Sequence, residues 1–229
     1  MTGARRASLI LLVVVLMGGA FAGGYALHQV PRTTTPTTTA PVTTTTGDGT
    51  WMSLWPNPAT ALRYGSPTSA ALAFARHVLK MASPVAQSFQ QGDSRSGEVP
   101  IQPDATGPTT IVLVRQLASD TSWWVLGSIA GEVQIDVPEQ FATVSSPLRV
   151  SGRSTAFEAV INLALYQDDS TAALAQGTAM GGSMGKMAPF ARTLAYPEPT
   201  SSYGVLVVYT RSAKDGSVLE ASATRVRFE

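Results

Sequence analysis

Between Phe157 and Leu165 an apolar residue stands at every second position: Phe157, Ala159, Ile161, Leu163 and Leu165. Glu158, Val160, Asn162, Ala164 and Tyr166 fill the alternate register. A period of two predicts a strand with one buried face and one mixed face. Similar runs predict strands near Val133–Val137, Pro147–Gly152, Ala156–Tyr166, Ala172–Met180, Pro189–Tyr196, Gly204–Thr210 and Val218–Phe228. Turn chemistry separates them, as at Asp168-Asp169-Ser170 and Lys214-Asp215-Gly216. Val205–Tyr209 is apolar in both registers, the pattern of an interior strand covered on each side. Arg192 falls in register with Phe190 and Leu194, which places that strand at an edge or at a bulge.

Upstream the period changes. Ser66-Pro67 reads as an N-cap followed by proline at the first helical position. Ala71, Phe74, Ala75, Val78 and Ala82 then recur at helical spacing, and Pro84 ends the run. Strand-like segments follow at Glu98–Gln102, Thr109–Leu117 and Trp123–Ile129, the last two joined by a hairpin-length turn at 118–122. Residues 51–131 therefore read as a small α+β domain with one helix on a three-stranded meander. Trp51, Trp55 and the adjacent prolines are expected to cover an edge of that sheet. Residues 132–229, with seven short strands, read as an immunoglobulin-like β-sandwich. The fold class is mainly β.

The first fifty residues are of another kind. Arg5 and Arg6 precede an uncharged run from Ala7 to Leu27, long enough at ~1.5 Å per residue to cross a bilayer. The positive-inside bias puts the N-terminus in the cytoplasm. Residues 1–30 are thus expected to be a transmembrane signal anchor; cleavage after Ala20-Phe21-Ala22, giving a secreted protein, is the alternative. Residues 31–50 are nearly all Thr and Pro, a composition for an extended, solvated linker. The expected location is the cytoplasmic membrane of a bacterium, single-pass, with the folded part outside.

Charge and composition narrow the chemistry. Charged residues are 14% of the chain and the net charge is +1, so no basic stripe for nucleic acid is present. The chain has no cysteine, which removes disulfides, thiolate metal sites and thiol catalysis together. Gly181-Gly182-Ser183-Met184-Gly185 matches the G-x-S-x-G of hydrolase nucleophile elbows, but no histidine follows Ser183 and the pattern resumes as a strand. It reads as a glycine loop. Asp93, Arg95 and Glu98 share one polar loop, too few oxygens for calcium, and read as turn caps or an ion pair. His77 has no partner at zinc spacing. Trp123 and Trp124 must point to opposite faces of a strand, so one ring is free to join a sugar- or peptide-binding patch or to pack under the sandwich. Glu158 is expected on the solvent face, paired across strands with Arg153 or Arg211. The candidate binding surface is Trp123, Trp124, Asp93, Arg95, Glu98 and Glu158; no catalytic residue, metal or cofactor is expected.

A resemblance adds to this reading. Ser146-Pro147-Leu148, Val150, Gly152, Phe157-Glu158, Pro189-Phe190 and Ser212-Ala213-Lys214-Asp215-Gly216 occur in the order found in the immunoglobulin-like domain of bacterial spore-germination proteins. About residues 133–229 resemble that family. Residues 51–131 do not read as the GerMN domain that accompanies it elsewhere. The resemblance implies a sandwich fold and a part in spore formation or germination. The function expected is non-enzymatic binding or scaffolding in the cell envelope, with an envelope protein or cell-wall glycan as partner. The alternative is a small-ligand sensor or accessory enzyme subunit. A pocket between helix and sheet lined by Phe74, Val78, Ile111 and Trp123 would favour it, and a filled core there would not.

Overall fold

The computed structural model describes residues 54–117 and 121–229. The expected anchor and linker, Trp51 and part of the 118–122 turn lie outside the described residues, among which no helix is long and apolar enough to cross a membrane.

Helix α1 spans Pro67–His77, and the hydroxyl of Ser66 accepts from the backbone N–H of Ser69 at 3.1 Å. Ala70, Ala71, Phe74 and Ala75 form its buried stripe. The helix stops before the expected Pro84, because Lys80 takes a left-handed backbone with φ 61°. The strands are β1 (Val85–Ala86), β2 (Gln90–Gln91), β3 (Ser96–Gln102), β4 (Thr110–Gln116), β5 (Trp123–Ala130), β6 (Val133–Val137), β7 (Thr143–Val144), β8 (Leu148–Ser154), β9 (Val160–Gln167), β10 (Ala173–Met180), β11 (Ala188–Leu194), β12 (Tyr203–Arg211) and β13 (Val218–Phe228).

Seven of these build the expected sandwich: β13-β12-β9-β10 in one sheet and β11-β8-β6 in the other. Arg192 lies on β11, an edge strand, which accounts for a charged residue between Phe190 and Leu194. The first sheet does not end at β13. It continues through β5 into β4 and β3, so the meander and the sandwich share one sheet. All the described residues belong to one compact unit.

Two cores lie on opposite faces of that sheet. On one face α1 packs over Val99, Ile101, Val112, Val114 and Val125, and over Val205, Val207, Ala221 and Ala223 of the sandwich strands. On the other, Leu206 and Val208 join Ile161, Leu163, Leu165, Val150, Phe190 and Phe228 between the two sheets. Strand β12 alternates between the two cores, as its two-faced apolar pattern requires.

The join between β5 and β13 is short, with Ala223 opposite Ser128 and Thr224 opposite Gly127. Gly127 permits it, since a Cβ there would stand 2.4 Å from the carbonyl oxygen of Ala223. Side chains complete what the ladder leaves open. Ser128 Oγ donates to Ala221 O at 2.8 Å, Ser222 Oγ accepts from Ala130 N at 2.9 Å, and Thr110 Oγ1 accepts from Ala221 N at 3.1 Å. Buried backbone groups need such partners, so these hydroxyls belong to the join.

The expected strand Ala156–Tyr166 begins late. Phe157–Ala159 is a 3-10 turn in which Glu158 and Ala159 have φ of 56° and 60°. That reversal lifts Phe157 out of the buried register, leaving it 70% exposed. From Ile161 onward the alternation holds.

Candidate functional site

The hollow best placed to hold a ligand opens where three segments meet. The chain from Leu54 to Tyr64 runs along β5, with Trp55 N and O exchanging hydrogen bonds with Val125 at 3.0 and 2.7 Å. This is the edge-covering role expected for Trp55. The end of α1 brings His77 and Val78, and the β9–β10 turn brings Asp168, Asp169, Ser170 and Thr171. Together with Trp55, Asn57, Thr60, Tyr166 and Gln167 they enclose a cleft of about 350 Å³.

Packing fixes each wall. Trp55 stacks on Tyr64 with ring centroids 5.8 Å apart and meets Phe74 edge-on at 5.3 Å. Asn57 Nδ2 donates to Asp169 Oδ2 at 3.2 Å, tying the N-terminal segment to the turn. Beneath the turn, Arg225 donates to Asp168 from both terminal nitrogens, at 2.6 and 2.7 Å, and reaches Leu54 O at 3.3 Å. Lys80 Nζ lies 5.2 Å from the ring centroid of Tyr166. Burial, and secondarily the neighbouring Tyr209, raise the Tyr166 phenol above its ordinary value, so at neutral pH it is an uncharged donor. Chemically the cleft offers aromatic surface, amides, hydroxyls and the carboxylate of Asp169. Compact apolar walls with a few convergent polar groups are the usual form of a small-ligand site.

The residues singled out in the sequence fall elsewhere. Trp123 lies on the helix side of β5, partly buried, edge-on to Phe89 at 5.3 Å. Trp124 points to the opposite face, as alternation requires, and is 2% exposed under the guanidinium of Arg63, 4.7 Å from its ring. The ring of Trp124 is thus covered by its own neighbourhood and belongs to neither core cluster, while Trp123 packs partly buried against the helix-side core. Asp93 caps its turn by accepting from Arg95 N at 2.7 Å, and that bond heads the causes holding its carboxyl below the ordinary range. Arg95 O accepts from Gln116 N, which brings the Asp93–Arg95 turn to the end of the meander where Trp123 sits. Glu98 is exposed on β3. Glu158 stands on the β8–β9 turn, and among the described residues it pairs with neither Arg153 nor Arg211; Arg211 donates instead to Gly216 O and to Tyr209 Oη.

Ser183 lies on the crossover from β10 in the large sheet to β11 in the small one, with Met184 and Gly185 at positive φ and Lys186 N donating to Ser183 O at 3.0 Å. A strand-to-helix corner is not formed there. The space between α1 and its sheet is filled by Phe74, Val78 and the β-strand valines, so the pocket that would have favoured a sensor in that layer is a packed core. Sequence reasoning named Asp168-Asp169 only as a turn and did not single out Arg225. The available signal was an arginine inside the otherwise apolar-alternating β13, which needs a buried acid as partner.

Comparison with known proteins adds one assignment. No curated protein and no solved structure matches the chain. The stretch from just before β6 to the turn preceding β13, residues 132–217, matches the family described as the immunoglobulin-like domain of bacterial spore germination.

Proposed function

We propose that this is a binding and scaffolding protein of a bacterial envelope, held at the membrane by residues 1–30 and acting in spore formation or germination. The match over residues 132–217 supports the germination setting. The cleft carries the binding part of the reading, because Trp55 and Tyr166 set aromatic surface beside Asn57, Gln167, Thr60 and Thr171. A sugar ring has apolar faces and a hydroxyl edge, and such a lining meets both. Cell-wall glycan is therefore the ligand class we assign. The sensing alternative survives only in this form, since the cleft draws residues from both sides of position 131. Intact-mass analysis of the membrane fraction tests the anchor, and retention on immobilised glycan fragments of peptidoglycan tests the ligand. A mature chain beginning after Ala22 would contradict the anchor, and failure to be retained would contradict the ligand.

A further inference from the structure

Among the described residues, half of the large apolar side chains left exposed stand at one end of the sandwich: Phe157 at 70%, Val160 at 38%, Met180 at 63% and Met184 at 94%. Two reversals of the chain gather them. Val160 and Met180 are direct cross-strand partners, Ala159 O accepts from Gly181 N at 2.9 Å, and Gly182 O accepts from Ala156 N at 3.0 Å. The turn at 157–159 therefore lies against the crossover at 181–185. Positive φ at Glu158, Ala159 and Met184 shapes both. Left-handed backbone is unfavourable for such residues, so the outward aim is held against a local cost. With so much of their surface in water, Phe157 and Met184 project as separate tips rather than as walls of a groove.

Clustered exposed apolar surface marks a contact with a protein or a membrane. We infer that this end of the sandwich docks on a lipid bilayer, with Phe157 and Met184 entering its apolar boundary. Shape favours lipid, because a protein partner needs a complementary pocket for each anchor, whereas acyl chains close around any projecting side chain. Charge agrees. The exposed charges next along the chain to the tips are Arg153 and Lys186 against Glu158, a small positive excess suited to anionic headgroups. Reach allows it too. The chain enters the folded unit at Leu54, which shares Arg225 with Asp168 just past the far end of β9. The eight residues of β9 cover ~26 Å. The residues between Leu27 and Leu54 can span up to ~85 Å at ~3.3 Å each, so a chain held by the proposed anchor can bring this end to the same bilayer. The inference rests on that anchor for its nearness to lipid.

The chain has no cysteine, so a single introduced thiol carries one label. The full chain is labelled with a polarity-sensitive fluorophore at Met184→Cys or at Glu198→Cys. It is then reconstituted into vesicles of phosphatidylcholine and phosphatidylglycerol that carry nitroxides on their acyl chains. Glu198 is exposed near Gln167, at the far end of β9, and serves as the control. The label at 184 should shift to the blue and be quenched several-fold more than the label at 198. Phe157→Ser with Met180→Ser should return the 184 label to water. Both positions are exposed, and an unchanged circular dichroism spectrum verifies that the variant is folded. Equal quenching at 184 and 198 overturns the inference. A chain that still floats with the vesicles in that case keeps its anchor, and one that does not loses the anchor as well. Disulfide formation between two copies of the unlabelled Met184→Cys chain, with the labelled protein unquenched, gives the surface to a second copy and also overturns the inference.

Discussion

Arg225 holds both carboxylate oxygens of Asp168, at 2.6 and 2.7 Å, with the guanidinium fully out of solvent and the carboxylate nearly so. The two residues join the last strand of the sandwich to the β9–β10 turn, and through Leu54 O to the segment that lines β5. The cleft is walled by that same turn.

Removing one partner leaves an uncompensated buried charge. Arg225→Met or Asp168→Leu alone should lower stability by ~3–5 kcal/mol in urea unfolding. The double variant should recover most of the loss, because the desolvation cost of the pair disappears with it. A double variant as unstable as the sum of the singles would mean the residues act separately.

Glu220 on β13 is 2% exposed, and its Oε1 accepts from Glu132 N at 3.1 Å where the chain crosses from one sheet to the other. Burial first, then the charge of Glu132, raise its pKa from 4.5 to about 7. The native state therefore holds this proton more tightly than the unfolded chain. Its contribution to stability is complete below 4.5 and is lost as pH rises to about 7. The loss should be on the order of 3 kcal/mol. Glu220→Gln should flatten that part of the stability profile and be the more stable protein above pH 7. An unchanged slope would remove Glu220 as its origin.

Gly127 lets β5 and β13 approach. Gly127→Val drives side-chain atoms into Ala223 O and should cost ~1–3 kcal/mol or more. Amide exchange should rise at Ala223 and Thr224, with the sandwich strand β8 less affected. Uniform change across all strands would instead indicate a general loss of stability.

How far the sequence reached depends on the range of the interaction. Val205–Tyr209 was readable as a two-sided strand because its own residues carry the whole pattern, and Arg192 announced an edge for the same reason. Phe157 misled. Its spacing fits the strand, but periodicity carries no trace of the positive φ at Glu158 and Ala159 that turns it outward. The β5–β13 join escaped because it brings together Gly127 and Thr224, and the meander and sandwich were read as separate domains for want of it. The cleft was equally hidden. Asn57 and Asp169 are 112 positions apart, and each alone is an ordinary turn residue. Trp123 and Trp124 drew attention by composition, whereas Trp55 became a cleft wall through a bridge to Val125.

The cleft is tested most directly by calorimetric titration of the full chain, in detergent, with soluble peptidoglycan glycan fragments. Asn57→Ala removes an exposed hydrogen bond, Asp169→Asn removes the carboxylate charge of the cleft, and both leave the two cores intact. The account expects saturable binding by the native protein and at least ~10-fold weaker binding by each variant, matching loss of one polar contact of about 1.4 kcal/mol. Equal affinity in all three proteins, or no heat of binding in the native one, would contradict it.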